Sequence, residues 1–235
     1  MNIVTFKWKK PDTGYKLKTQ VSYGSKHVNV LYQSIKRNTT LDFNFYCITD
    51  DPSGLNPDIK YIPLWNKCIN LGGCYNRLFV FSKEMRKIIG KRFLSIDLDV
   101  VITGNIDKLL LRNEDFIINE YRSKNNFQQK YNGGMFMMNS GCRDQVWNEF
   151  DYHNSPKIIE QQKNKRILTG SDQAWIQYVL GDNEHLFTSE EDGVYDYNHL
   201  GPVLPNNCRI VFFPGKNDPE IEMNKLPWIK EHWRE

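Results

Sequence analysis

The stretch from Arg92 to Thr103, RFLSIDLDVVIT, constrains this chain more than any other. Phe93, Leu94, Ile96, Leu98, Val100, Val101 and Ile102 form a near-continuous apolar run, the pattern of a strand covered on both faces, as in a parallel sheet. Asp97 and Asp99 interrupt it. Side chains alternate along a strand, so residues two apart point the same way, and both carboxylates address one ligand while Leu98 packs. Paired carboxylates suit a hard divalent cation, Mn2+ or Mg2+, that bridges to a diphosphate. In open α/β sheets the ligand crevice lies beyond the carboxyl ends of the strands. The same residues also read as a strand end with two solvated acids.

The segments before this run read as a β-α-β opening. Ile3 to Trp8 is a short apolar strand, and the loop KKPDTGY leaves the sheet after it, which places Thr5, Lys7 and Trp8 where a ligand can meet them. Ser25 precedes a helical stripe of Val28, Leu31 and Ile35, and Phe43 to Thr49 forms the second strand. Asp50 follows at its carboxyl end and reads either as a turn cap or as a contact to a nucleotide base or ribose. Ile59 to Leu64 supplies a third strand. A helix is expected from Tyr75 to Ile89, with Leu78, Phe81, Met85 and Ile88 as its core stripe. Arg77 lies off that stripe and faces either solvent or the crevice.

Beyond the acidic strand, Asn105 to Arg112 reads as a short amphipathic helix, Phe116 to Asn119 as a strand, and Met135 to Met138 as another. Asn132, Gly133 and Gly134 stand at the mouth of the last, which indicates either close approach of a ligand or a β-bulge. Asp144 to Phe150 looks helical, and Lys157 to Arg166 reads as a solvated basic helix face. In LTGSDQAWIQYVLG, Ser171 is the expected N-cap and Gly181 the stop. Asp172 complements the helix dipole there, whereas Gln173 has no such structural reason to be present. Arg209 to Phe213 is a last strand leading to Pro214, Gly215 and Lys216, whose backbone and ammonium suit a phosphate oxygen. The tail PWIKEHWRE is amphipathic and expected to pack back on the body.

With 235 residues, 40% hydrophobic and 25% charged, the chain suits one elaborated α/β domain. The net charge of +3 is small and its basic residues are interspersed with acids, which argues against a nucleic-acid partner. Five cysteines without a C-x-x-C spacing favour free thiols, Cys68 and Cys74 among them, and a cytoplasmic location. No stretch approaches the roughly 18 apolar residues of a membrane span, and the N-terminus lacks a signal-peptide core.

Taken in order, IVTFKW, YNRL ahead of FLSIDLDVVITGNI, YNGGMFMMN, GSDQAWI and FFPGK resemble the stations of the retaining family 8 glycosyltransferases of the GT-A fold, the group that includes glycogenin and bacterial galactosyltransferases. The resemblance implies a GT-A-like, Rossmann-type mixed sheet flanked by helices in a single domain. Its nucleotide-binding half would span 1–103, its acceptor and sugar half 104–216, and its C-terminal tail 217–235. It implies a UDP- or GDP-linked sugar as donor, a glycan, lipid-linked or protein acceptor, and a divalent metal on Asp97 and Asp99, the D-x-D pair. Thr5, Lys7 and Asp50, with Trp8, would touch the nucleotide. Arg77 and Asp97 would meet the sugar-phosphate region, with Gly215 and Lys216 near the phosphates. Asn132, Gly133, Gly134, Asp172 and Gln173 would flank the transferred sugar. The chain departs from the family where Phe212 replaces a metal-binding His. Gly215 matches, no Lys-Pro-Trp follows, and Asp218 is a possible substitute ligand.

A metal on Asp99, with Arg77 and Lys216 nearby, would stabilise a departing diphosphate electrostatically. A Gln/Asp pair poorly matches a committed carboxylate nucleophile, which favours acceptor attack on the face from which the diphosphate departs. Two rivals remain open: a sugar-phosphate nucleotidyltransferase, and a degenerate transferase-like scaffold motivated by Phe212. A dinucleotide enzyme lacks its G-x-G-x-x-G after Trp8.

Overall fold

The computed structural model describes residues 1–9, 23–65, 72–122, 126–215 and 217–235. Its strands are β1 (Asn2–Lys7), β2 (Asn44–Thr49), β3 (Lys60–Pro63), β4 (Arg92–Ile96), β5 (Val100–Ile102), β6 (Phe116–Glu120), β7 (Tyr131–Asn139), β8 (His185–Phe187), β9 (Val194–Asp196) and β10 (Ile210–Phe212). Its helices are α1 (Ser25–Asn38), α2 (Met85–Ile88), α3 (Asp107–Leu110), α4 (Gln145–Asn148), α5 (Ser155–Asn164), α6 (Asp172–Leu180), α7 (Ser189–Asp192), α8 (Pro219–Glu222) and α9 (Pro227–His232). None is long and apolar enough to cross a membrane.

Seven strands form one sheet in the order β3-β2-β1-β4-β7-β6-β8. β1 runs parallel to β2 and β4, and β2 parallel to β3, as the β-α-β opening predicts. The sheet is nevertheless mixed, because β7 is antiparallel to both β4 and β6. β5, β10 and β9 make a second, three-stranded sheet.

The second sheet corrects the expectation of one strand across Arg92–Thr103. β4 ends at Ile96, opposite Met135 of β7, and Val100 restarts the chain opposite Phe212 of β10. Asp97 to Asp99 therefore form the crossing between sheets and not two positions on one strand face. Sequence periodicity cannot show this jump, because both pieces are buried on both sides. Leu94 and Ile96 join the core with Val28, Leu31 and Ile35 of α1. In β5, Val100 and Ile102 face that same core, while Val101 packs outward with Val211, Phe213, Trp228 and Trp233. Trp228, Ile229 and Trp233 are buried, so the C-terminal tail does pack on the body. The opposite face of the large sheet packs Leu78, Phe81, Val146, Ile159, Ala174 and Ile176.

Other boundaries also differ. The helix expected over Tyr75–Ile89 is a 3-10 segment, Tyr75–Phe81, followed by the single turn α2. Three residues per turn rotate the buried face, so Leu78, Phe81 and Met85 stay inside while Ile88 is 41% exposed and Ile89 takes its place. The strand expected from Met135 begins at Tyr131, and the helix expected over Asp144–Phe150 is only α4. Cys47, Cys142 and Cys208 are free, Cys74 forms no disulfide among the described residues, and Cys68 lies outside them.

Candidate active site at the junction of the two sheets

Three backbone ties assemble the site. The N–H of Asp97 donates to the carbonyl of Gly134 at 2.8 Å, so the end of β4 stays attached to β7 after regular pairing stops. The N–H of Phe213 donates to the carbonyl of Asp99 at 2.8 Å, which fixes the other side of the crossing to β10. The N–H of Cys74 donates to Ser171 Oγ at 2.8 Å and joins the start of the 3-10 segment to the start of α6. Ser171 is the N-cap by position, but its hydroxyl serves this tertiary contact and makes no capping bond to its own helix. Gln177 Oε1 accepts the N–H groups of Lys130 (2.7 Å) and Tyr131 (3.2 Å), which pins α6 along the entry to β7.

These ties deliver Arg77 into the junction. It is 5% exposed, which excludes the solvent-facing alternative. Its Nη1 donates to Asp97 Oδ1, and its Nη2 lies 2.5 Å from Asp172 Oδ2. Burial opposes the guanidinium charge, but the Asp172 and Asp97 carboxylates outweigh it and raise the pKa. Asp172 is 3% exposed, so it is more than a solvated acid at a helix terminus.

Asp99 is governed differently. Burial first, then the adjacent Asp97 carboxylate, push its acid up to about 8, with Arg77 pulling the other way. A carboxyl so placed fits a cation, whose charge would reverse the penalty on its ionised form. Asp97 shares its charge with Arg77 and would be a weaker ligand than sequence spacing implies. Phe212 gives no third ligand: it is 3% exposed, belongs to the central core, and lies 3.2 Å from where a Cβ on Gly134 would stand.

The glycine pair is both a bulge and a close approach. Pairing between β6 and β7 slips between Ile118 and Asn119, with Asn119 opposite Asn132 and Ile118 opposite Phe136. Asn132 Oδ1 accepts the Gly134 N–H at 2.7 Å, and Gly133 N–H donates to Gln173 Oε1 at 3.3 Å. Gln173 Nε2 donates to the Thr169 carbonyl at 3.1 Å, so backbone groups orient the amide at both ends. A Cβ on Gly133 would stand 3.0 Å from Asp172 Oδ2 and 3.4 Å from Arg77 Nη2. Arg77, Asp97, Gly133, Asp172 and Gln173 thus form one contiguous group.

On β1, Val4 and Phe6 pack into the core beneath α6, and Trp8 packs against it as well. Alternation puts Thr5 and Lys7 on the opposite face, so Trp8 does not share their surface. Thr5 is fully buried with a hydroxyl lacking a partner among the described residues, and Lys7 is 8% exposed. Asp50 is exposed and its Oδ2 accepts the Lys9 N–H at 2.9 Å, while the turn belongs to Asp51, which accepts the Ser53 N–H. Gly215 adopts a left-handed φ of 79° after Pro214, and Lys216 lies outside the described residues.

Sequence reasoning missed Tyr23. It precedes α1, and its phenol is raised in pKa by burial and then by Asp99, Asp218 and Asp97. Its phenol therefore lies within reach of the charges on these acids. Its signal was faint: an aromatic residue just ahead of a glycine N-cap.

No protein-family profile matches the chain, and no curated protein sequence does. Solved structures do. The galactosyltransferase LgtC in complex with donor and acceptor sugar analogs matches over 93% of this chain and 89% of its own, at 13% identity and a TM-score of 0.55. An active-site mutant of LgtC, with Glu in place of Gln, matches over the same shares of both chains at 13% identity and a TM-score of 0.57. With the mixed sheet, the flanking helices and the acidic crossing between sheets, these likenesses give the chain the fold of the GT-A glycosyltransferases, in a single domain.

Proposed function

We propose that this protein is a retaining glycosyltransferase of the family 8 type that moves a sugar from a UDP- or GDP-linked donor to a glycan, lipid-linked or protein acceptor, with a divalent cation, Mn2+ or Mg2+, at Asp99 and Asp97. The observation that carries this reading is the group of buried Arg77 and Asp172 with half-buried Asp97, packed on Gly133 and Gln173, within a GT-A fold. The similar LgtC binds donor and acceptor sugar analogs and has an active-site Gln that was exchanged for Glu. Gln173 suits such a position here, because its amide is held by backbone at both ends and stands beside the acids.

When bound, the cation supplies positive charge to the departing diphosphate. Arg77 keeps Asp97 oriented at the acidic crossing. Thr5 and Lys7, on one face of β1, offer a hydroxyl and a cation to the nucleotide, with Asp50 beyond the neighbouring strand end, Gly215 and Lys216 near the phosphates, and Trp8 left to pack. Asp172 is already committed to Arg77, so it positions that guanidinium and is no free nucleophile. Gln173 then lies against the sugar, which favours attack by the acceptor on the face from which the diphosphate leaves. The division into a nucleotide half (1–103), a sugar and acceptor half (104–216) and a tail (217–235) belongs to the same reading. The free thiols among the described residues suit a cytoplasmic setting.

Core placement of Phe212 supports a second reading, a transferase-like scaffold with a weakened metal site. One experiment tests both. A panel of nucleotide-sugars is screened for metal-dependent hydrolysis and for thermal stabilisation. Donor cleavage that needs Mn2+ or Mg2+ supports the enzyme, whereas binding without turnover across the panel supports the scaffold.

A further inference from the structure

A second group of ligand-type side chains lies where the first turn of α1 meets α8. His27 belongs to α1, Asp218 is the N-cap of α8, and Glu220 lies in its first turn. One ligand atom from each falls within 4.8 Å of the others. His27 is 5% exposed and Asp218 1%. Neither His27 Nε2 nor Asp218 Oδ2 has a hydrogen-bond partner among the described residues, and Nε2 stands 3.6 Å from Glu220 Oε2. Buried polar atoms left unmatched are costly, so two of them within reach of one another mark a place where something binds.

The far side of each group is anchored. Asp218 Oδ1 accepts the Glu220 N–H at 2.8 Å, Lys26 Nζ holds Glu220 Oε1, and the Gly24 N–H approaches His27 Nδ1 at 3.2 Å. The near atoms remain to face one another. We propose that His27 Nε2, Asp218 Oδ2 and Glu220 Oε2 bind one zinc-type divalent cation, at a site separate from Asp97 and Asp99. One imidazole and two carboxylates form a borderline donor set that zinc accepts with a fourth position open to water. Magnesium instead demands about six oxygen ligands in octahedral geometry, which this set does not provide.

The Gly24 contact dictates what binding changes. With Nδ1 accepting, the neutral ring carries its proton on Nε2, directed at the two acids. Coordination moves that proton to Nδ1, so the Gly24 amide turns away and the ring keeps its net charge. Gly24 is exposed and its contact is long, which makes the change local. The bound cation would join α1 to α8. Tyr23 lies edge-on to His27 at 5.1 Å between ring centroids, and its phenol feels the charges of Asp99, Asp218 and Asp97. This inference does not depend on the glycosyltransferase reading.

The test uses the full chain carrying Asp99→Asn, which removes the other cation site, stripped with chelator and titrated calorimetrically with zinc chloride and, separately, magnesium chloride. One zinc ion per chain and no magnesium are expected. Glu220→Gln should weaken zinc by about tenfold or more, His27→Ala should abolish it, and nitrogen-15 spectra should show the His27 proton on Nδ1 after zinc is added. Zinc binding undiminished in both variants would overturn the proposal and point to thiols such as Cys74 or Cys142. Absence of zinc binding, or a ring that keeps its proton on Nε2, would overturn it as well. If His27→Ala does not fold, Glu220→Gln and the proton position decide.

Discussion

Asp172 and Arg77 form a buried ion pair, Oδ2 to Nη2 at 2.5 Å, with side chains 5% and 7% exposed, and through it the start of α6 meets the 3-10 segment. Asp172→Asn should therefore cost more than the about 0.3–1 kcal/mol of an acid that merely complements a helix terminus. It should cost less than the about 3–5 kcal/mol of leaving a buried charge alone, because Asp97 still faces Arg77. Denaturant unfolding of the variant measures this, and a loss below the lower range would mean that the pair is not maintained in solution.

Gln173 tests the sugar pocket. Gln173→Ala should lower the transfer rate by at least about tenfold, equivalent to about 1.4 kcal/mol of transition-state stabilisation, while affinity for the nucleoside diphosphate barely moves. Gln173→Glu should also be impaired, since it sets a carboxylate oxygen against the Thr169 carbonyl that Nε2 now meets at 3.1 Å. Wild-type rates in both variants would move the sugar contacts elsewhere.

Asp99→Asn should nearly abolish turnover with the fold intact, because the carboxyl lies at the crossing between sheets and outside the regular ladder of either. Circular dichroism and transfer rate with Mn2+ present are compared. Most of the activity surviving in the variant would remove Asp99 from the metal site.

The elements that carry this site were unevenly legible. The β-α-β opening, the glycine-marked bulge and the start of α6 each left a local signal: period-2 runs, two glycines beside an asparagine, and a serine ahead of an apolar stripe. The second sheet left none, because Val100 to Ile102 continue the apolar run of β4 and their partners in β10 lie more than a hundred residues away in sequence. Arg77 stayed undecided between solvent and crevice for a related reason. The helical stripe assumed 3.6 residues per turn, whereas the 3-10 geometry turns Arg77 inward, and only the tertiary bond from Cys74 to Ser171 reveals why. Glu220 and His27 carried no pairing signal in sequence, since their elements meet only through the docking of the C-terminal segment.

Asp107 supplies an acid-side test of the fold. The Thr39 hydroxyl, and after it that of Thr40, hold its carboxyl down at about 2, and the carboxylate thereby joins the end of α1 to α3. A depressed folded-state pKa contributes stability that is fully present above the ordinary carboxylate value of about 3.9 and disappears as pH falls through the folded value. Melting temperature should therefore decline between about pH 4 and pH 2, and Asp107→Asn should flatten that part of the decline. An unchanged acid limb in the variant would show that other carboxylates dominate it.

Gly133→Ala separates a pocket built on close approach from one that only borders the bulge. Gly133 lies within β7 and is absent from the glycines with left-handed φ, so alanine is conformationally permitted and its cost is steric. The added Cβ would stand 3.0 Å from Asp172 Oδ2, 3.2 Å from Gln173 Cβ and 3.4 Å from Arg77 Nη2, tight distances that the three side chains must relieve together. Crowding of this kind typically costs about 1–3 kcal/mol. The expected result is a folded protein with a lower melting temperature and a transfer rate reduced by at least about tenfold, as for Gln173→Ala. Gly201→Ala, where nothing lies within 4 Å of the new Cβ, should leave both quantities unchanged. If Gly133→Ala melts lower yet transfers sugar at the wild-type rate, Arg77, Asp172 and Gln173 hold the bulge in place and the sugar binds elsewhere.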